Sequence, residues 1–249
     1  MFTDTHCHLL SEYYEDINQI LQDATKQGVN RFINAAYDET SIIEVVSLAK
    51  TLSGVYGVIG IHPSEAKRYE ELDFSIVINN LNNKNIIAVG EIGLDYHYGK
   101  EYAEEQKLLF RRQLEIASKY HLPVVVHSRD ATADTISILH EYFVKGVIHS
   151  FSGSYETALE YISMGFVLGI NGCITFKNNH LIEVIKKIGL EHIVLETDCP
   201  YLTPQPFRGQ TNYPSNILLI AKYLAKNLNV SLSQIAKILD ENTHRIFDI

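Results

Sequence analysis

Six histidine and acidic side chains follow short apolar segments of this sequence, where they could bind metal ions. Two of them form an H-x-H motif near the N-terminus, and the other four lie at or just after the ends of later apolar runs. The six are His6, His8, Glu91, His127, His149 and Asp198. One histidine or acid after a strand is usually a cap or loop residue. Burying six such groups together without a cation would be costly, so the joint pattern predicts a metal site.

The donor set fits two divalent cations better than one. Six ligands exceed the four of a tetrahedral zinc site, whereas two ions about 3.5–4 Å apart and bridged by a carboxylate use all of them. We assign one ion to His6, His8 and Asp198, the other to His127 and His149, and the bridge to Glu91. Mixed nitrogen and oxygen ligands leave the metal open among Mg, Mn, Zn, Ni and Fe.

Glu91 and Asp198 are the predicted catalytic residues of this site. Water held between two cations ionises near neutral pH, so a metal-bridging hydroxide is the predicted nucleophile. Asp198 is then the candidate general base that takes or guides the proton. Together these groups predict a hydrolase.

The six side chains need a scaffold that gathers distant strand ends. Short β-branched runs alternate with segments of helical periodicity, which predicts βαβ units and a parallel sheet. The predicted strands span 2–7, 31–36, 55–61, 86–92, 123–128, 146–151, 166–171 and 193–197. The predicted helices span 15–28, 39–52, 70–82, 104–120, 131–143, 155–164, 179–189, 214–228 and 231–247. This α/β pattern favours one (β/α)8 TIM-like barrel over residues 1–249, with a doubly wound open sheet as the alternative.

Composition and charge restrict the classes of function. The net charge is −9, so a polyanionic substrate would need local positive potential, which bound metal ions can supply. No apolar run approaches the ~20 residues that span a bilayer, and the N-terminus lacks the organisation of a signal peptide. Three cysteines without a C-x-x-C pair argue against disulfides. We therefore expect a cytoplasmic protein with no membrane partner, and we favour a monomer.

Seven short motifs occur in order along the chain: DTHCHL, GIHP, GEIGLDY, LPVVVHSRD, HSFSG, ETDCPYL and ENTHRIF. With these motifs, the sequence from residue 3 to residue 247 resembles the TatD family of metal-dependent deoxyribonucleases. The resemblance implies a TIM-like barrel with a divalent-metal site. It also implies hydrolysis of phosphodiester bonds, in several members by removal of nucleotides from a DNA 3′ end. DNA is therefore the expected substrate.

Two further residues in these motifs are predicted to bind substrate. His62 of GIHP and Arg129 of LPVVVHSRD could each bind a phosphate oxygen, Arg129 with two hydrogen bonds. There are simpler alternatives for both. His62 could only cap the turn at the following proline, and Arg129 could pair with Asp95 or Asp130.

Other polar residues near the predicted strand ends have supporting roles in this interpretation. Four of them are predicted to orient the metal ligands or to touch substrate: Asp95, Tyr96, Glu196 and Tyr201. The proline-rich loop 202–214, which carries Arg208, is the candidate for substrate selectivity. The remaining histidines follow no predicted strand and are left out of the site: His97, His121, His140, His180, His192 and His244.

Two other functions stay open at this point. One is hydrolysis of a cyclic amide, lactone or aminoacyl ester in the same barrel. Cyclic amidases of this architecture often bridge their metals with a carboxylated lysine on strand 4, but here no lysine lies between Asn85 and Tyr98. The other is a non-enzymatic metal-binding role. The mixed carboxylate and imidazole set disfavours it, because structural sites tend toward four Cys or His ligands.

Overall fold

Eight parallel strands form the sheet of the computed structural model, which describes all residues from Met1 to Ile249. The strands are β1 (Phe2–Cys7), β2 (Val29–Ala35), β3 (Val55–Ile59), β4 (Ile86–Asp95), β5 (Val124–Arg129), β6 (Gly146–Ile148), β7 (Phe166–Ile170) and β8 (Ile193–Leu195). Each strand pairs in parallel with the next one along the chain. This sequential order confirms the (β/α)8 barrel and excludes the doubly wound sheet, whose strand order reverses at a switch point.

Nine α-helices connect the strands and follow the last one. They are α1 (Ile17–Lys26), α2 (Glu39–Thr51), α3 (Ser75–Ile78), α4 (Ala103–Tyr120), α5 (Thr132–Leu139), α6 (Tyr155–Ser163), α7 (Leu181–Ile188), α8 (Ile217–Leu228) and α9 (Leu232–Phe247). The sequence sets where two of these helices begin, because Asp38 before α2 and Ser231 before α9 each form a capping box. None of the helices combines the length and the apolar character needed to cross a membrane.

The helix predicted over residues 70–82 is wrong. The chain instead forms a 3₁₀ helix over Pro63–Glu71 and the short helix α3. Proline suits the first position of a helix, which explains the earlier start. Asparagine side chains compete with a helical backbone, and the amide of Asn80 accordingly donates to the Ile76 carbonyl over 2.8 Å. The region between β3 and β4 therefore holds one turn of α-helix instead of three.

The barrel closes at a seam between β1 and the segment after β8. The fully buried Asp4 carboxylate accepts hydrogen bonds from Thr197 N at 2.9 Å and from the Thr197 hydroxyl at 2.5 Å. Asp198 N donates to the His6 carbonyl over 2.9 Å. These bonds hold Asp198 beside the end of β1, although the two segments lie at opposite ends of the chain.

The barrel lumen contains a small apolar cluster that sets which side chains reach the mouth. Its members are Ile33, Val58, Ile87, Ala88, Val125, Val147, Val167, Val194, Ile246 and Phe247. Side chains alternate along a strand, so the residue two places after an inward valine points the same way. His127 follows Val125 and His149 follows Val147 at this spacing. The same alternation that fills the lumen therefore places both imidazoles at the C-terminal mouth.

Candidate metal centre at the barrel mouth

His6 of β1 and His8, just after it, meet carboxylates from β4 and from the segment after β8. His6 Nε2 lies 3.3 Å from His8 Nε2 and 3.4 Å from Glu91 Oε2. Asp198 Oδ1 lies 3.4 Å from His8 Nε2 and 3.5 Å from His149 Nε2. Several lone-pair donors thus face one another in a nearly buried space, which is costly without positive charge among them. The arrangement fits divalent cations.

His127 and His62 extend the cluster on the β3–β5 side. His127 Nδ1 lies 2.7 Å from Glu91 Oε1, and its Nε2 lies 3.1 Å from Asp95 Oδ2. His62 Nε2 lies 4.0 Å from Glu91 Oε1. All six predicted ligands therefore lie in one cluster, and His62 and Asp95 lie next to them.

Three groups of donors have their ligand atoms within 4.8 Å of one another. The first group is His6, His8 and Asp198; the second is His62, Glu91 and His127; the third is His6, His149 and Glu196. The first has the same members as the ligand set predicted for one ion. The second contains Glu91 and His127 but has His62 where we predicted His149. His62 is therefore a candidate ligand as well as a candidate phosphate contact.

Glu196 lies beside the ring of His149, at the buried side of the ligand cluster. Its Oε1 accepts a hydrogen bond from Ser150 N at 2.6 Å and lies 3.1 Å from His149 Nδ1. Gly169 on β7 makes room for this carboxylate, because a Cβ there would lie only 2.3 Å from Glu196 Oε2. Glu196 is fully buried two residues after Val194, so strand alternation turns it inward.

Three other predicted residues have clear positions. Arg129 is exposed and forms neither of the alternative ion pairs; its guanidinium lies 5.7 Å from the ring centre of Tyr98. Tyr201 lines the cleft, and its hydroxyl donates to that of Tyr13 over 3.1 Å. Tyr96 donates to Asp134 over 2.8 Å. Tyr96 therefore contacts α5 instead of the ligand cluster.

His62 caps a turn and also faces the ligand cluster. His62 Nδ1 accepts a hydrogen bond from Ser64 N at 3.1 Å, so it caps the turn while its other nitrogen faces Glu91.

Only Leu202 of the loop 202–214 lines the cleft. Arg208 lies 4.3 Å from the ring centre of Phe176. A selectivity role for this loop remains a prediction.

His97 and three side-chain amides were missed by the sequence analysis. His97 lines the cleft, with Nδ1 3.0 Å from Asp130 Oδ2. It was left out because the predicted strand ended at residue 92, whereas β4 continues to Asp95. Each amide bonds both the N–H and the carbonyl of one backbone residue, at distances of 2.7 to 3.0 Å: Asn34 at Leu9, Gln113 at Ile61 and Gln106 at Asp95. These amides fix the backbone beside His8 and His62.

The charges of the cluster shift its protonation in the metal-free protein. Burial alone would raise the pKa of Glu91, but the nearby His149 and His6 outweigh it and hold the pKa well below its usual range. Burial alone would lower the pKa of His149, but Glu196, Asp198 and Glu91 raise it to about 10. Burial opposed by Asp95 and Glu91 likewise raises the pKa of His127 to about 9. Protons on two histidines thus supply the positive charge that cations would supply.

Metal binding is therefore expected to release at least two protons per chain at pH 7, because ligating imidazoles must be neutral. His127 and His149 carry two of these protons, since both pKa values lie above 7 in the metal-free protein. Burial alone would lower the pKa of His8, but Asp198 and Glu91 raise it, so His8 adds to the release. Affinity for a divalent cation should then rise as the pH rises toward 9 and fall at lower pH. Calorimetric titration in buffers of different ionisation enthalpy measures the release. An observed enthalpy that is the same in all buffers would contradict this protonation scheme.

The chain is similar to known proteins over its whole length. A family model described as TatD related DNase matches residues 3–248. The chain belongs to the TatD family. Among TatD relatives, it is 37% identical over 254 residues to the uncharacterized metal-dependent hydrolase YabD of Bacillus subtilis, with 100% of both chains covered. It is 32% identical over 254 residues to the uncharacterized metal-dependent hydrolase YcfH of Escherichia coli K12, with 99% of this chain and 95% of YcfH covered.

The TatD fold is also found in a solved structure. The crystal structure of YJJV, a TatD homologue from Escherichia coli K12, matches with a TM-score of 0.93 and 30% identity over 100% of this chain and 98% of that chain. These similarities confirm the TatD resemblance and the TIM-like barrel. They identify the chain as a metal-dependent hydrolase. The number of ions, their identity and the substrate stay predictions.

Proposed function

We propose that this TatD protein is a deoxyribonuclease that removes nucleotides from a DNA 3′ end with the help of two divalent cations. The observation that most supports this proposal is the shared cleft at the barrel mouth. Members of all three donor groups line it, and Arg129 borders them without a carboxylate partner. Two metal ions and a free guanidinium together suit the negative charge of a phosphodiester.

The first ion would be held by His6, His8 and Asp198, and the second by His127 with His149 or His62. Glu91 is the proposed bridge, because its two oxygens face different histidines: Oε1 lies 2.7 Å from His127 Nδ1 and Oε2 lies 3.4 Å from His6 Nε2. When bound, the cations would supply positive charge against the phosphate and lower the pKa of water.

Asp198 is the proposed general base. Its side chain is 14% exposed, against 5% for Glu91, so it is the carboxylate that water in the cleft reaches more easily. Burial alone would raise the pKa of Asp198, but His149 and His8 lower it, so the group is ionised at neutral pH. A base must be ionised to take a proton at its oxygen. Arg129 and His62 would meanwhile hold phosphate oxygens.

The structure gives less support to cyclic amide hydrolysis. Strand β4 reads IIAVGEIGLD and contains Glu91 but no lysine that could be carboxylated. The exposed guanidinium of Arg129 also suits an anionic substrate better than a neutral ring amide. A lactone or aminoacyl ester remains a comparison substrate for the assay.

The test is a cleavage assay with single-stranded oligonucleotides labelled at either end, with Mg²⁺ or Mn²⁺ and with chelator. We expect the 3′-labelled strand to lose its label as a mononucleotide and the 5′-labelled strand to shorten stepwise. Chelator should abolish both. Lactones, cyclic amides and RNA form the comparison panel. Turnover of a neutral substrate without DNA cleavage, under every metal tested, would refute the proposal.

A further inference from the structure

Tyr98 is a large aromatic side chain that lies open to solvent at the edge of the cleft. It is 90% exposed, and its neighbours around the cleft are mostly polar. A single exposed aromatic residue is common on protein surfaces and needs no explanation by itself. Phe143, which is 105% exposed, is such a residue, because it precedes β6 and so lies toward the opposite end of the barrel. Three observations distinguish Tyr98 from it.

The first observation is a cation beside the ring. The Arg129 guanidinium lies 5.7 Å from the ring centre of Tyr98, and His97 meets the ring edge-on at 4.9 Å between centres. His97 is paired with Asp130 at 3.0 Å, whereas Arg129 has no carboxylate partner. A positive charge without a carboxylate partner thus lies over one face of an aromatic ring that is 90% exposed.

The second observation is the distance from the ligand cluster along the sheet. In the pairing of β4 with β5, Asp95 lies opposite Arg129 and Gly93 lies opposite His127. Tyr98 comes three residues after Asp95, whose carboxylate contacts His127 at 3.1 Å. Tyr98 and Arg129 therefore both lie at or just past the paired ends of β4 and β5, on the rim of the cleft beside the ligand cluster.

The third observation is the position of the ring on a cleft of about 1060 Å³. That volume is as large as that of typical small-molecule sites, which occupy about 300–1,000 Å³ and hold whole drug-sized ligands. There is room for at least one nucleoside beside the ligand cluster. Tyr98, Arg129 and His97 line the cleft next to that space.

We propose that Tyr98 and Arg129 form a subsite for the nucleotide next to the scissile phosphate, with its base stacked on Tyr98 and its phosphate bound by Arg129. This inference rests on the proposed nuclease function. It adds the part of the substrate that the two side chains would contact, one base and its phosphate. Stacking on an aromatic ring tolerates every base, because each base has a π-face.

The test measures binding of fluorescent, hydrolysis-resistant phosphorothioate oligonucleotides to the metal-loaded protein. One probe carries all its bases, and the other lacks the bases at its 3′ end. Tyr98→Ala should weaken binding of the first probe by about 5- to 150-fold, the range of one lost base stack. Tyr98→Phe should bind like the wild type, because the ring is kept. Phe143→Ala is the matched control and should change nothing.

Arg129→Ala separates the charge from the ring. It should weaken binding and reduce the dependence of log K on log salt by about 0.7, the value for one phosphate contact on a single strand. Tyr98→Ala should leave that slope unchanged. The wild type should prefer the probe with bases, and Tyr98→Ala should lose that preference.

The outcomes distinguish the subsite from the proposed function. If the wild type cleaves DNA while Tyr98→Ala binds both probes as the wild type does, the subsite is refuted and the nuclease function stands. An equal loss of affinity for both probes also refutes it, since base stacking cannot weaken a base-free end. If the wild type cleaves no phosphodiester with any metal, the nuclease function fails and the subsite fails with it.

Discussion

Replacing Glu91 by Gln is expected to lower kcat/KM on an oligonucleotide by about 10³-fold or more, because ligation of catalytic metals is worth several kcal/mol. The side chain keeps its shape but loses the charge that faces His6, His127 and His149. It can then no longer bridge two cations. The measurement is steady-state cleavage at several Mn²⁺ concentrations.

The control for this experiment is Glu101→Gln, which alters an exposed carboxylate in the loop before α4. It should retain wild-type activity. Circular dichroism and thermal melting should show both variants folded, because Glu91 lies at the mouth and not in the apolar lumen cluster. A folded Glu91→Gln protein with more than a tenth of wild-type activity at saturating metal would rule out the bridging role.

Asp198→Asn should lower kcat by about 10²- to 10⁴-fold, the usual contribution of a general base. Asparagine is the matched replacement, because Asp198 has a positive φ of 56° and asparagine tolerates that conformation. The backbone bond from residue 198 N to the His6 carbonyl does not depend on the side chain and should hold the loop in place.

Asp198 and Glu91 are expected to differ in their metal dependence. Asp198 belongs to one donor group, whereas Glu91 contacts histidines of both sides of the cluster. Asp198→Asn should therefore retain the ion at His127, and excess metal should not restore its kcat. Recovery of wild-type kcat at high metal concentration would mean that Asp198 acts only as a ligand and not as the base.

The positions of the ligands could be predicted because they depend on strand alternation. His127 and His149 each follow an inward valine by two residues, so their side of the sheet is set by local pattern. The H-x-H pair at the end of β1 needed only its spacing of two residues, because the strand pairing there is irregular between Asp4 and Cys7. Eight apolar runs that alternate with helical segments were also enough to predict the barrel.

The contacts around the ligands could not be predicted in the same way, because they join residues far apart in the chain. The Gln113 amide bonds the Ile61 backbone, and Asp4 bonds Thr197. A polar residue on the apolar face of α4 was the available signal for Gln113, but it does not name the partner. His62 illustrates the same limit, since only the folded chain puts its free nitrogen near Glu91.

The predicted boundaries were wrong for two elements, the helix between β3 and β4 and the end of β4. The helix predicted over 70–82 ignored the asparagines that follow α3, and the amide of Asn80 bonds the Ile76 carbonyl just where the helix ends. The early end predicted for β4 hid His97 at the edge of the cleft. Neither boundary follows from strand alternation or helical periodicity alone.

The most direct test of this account is the number of divalent ions that one chain binds at its barrel mouth. Untagged, metal-free protein titrated with Mn²⁺ and followed by calorimetry and elemental analysis should bind two ions per chain, in line with two donor groups that share the mouth. Glu91→Gln should bind fewer and more weakly. Full activity with a single ion per chain, or two ions bound equally well by Glu91→Gln, would contradict a carboxylate-bridged pair.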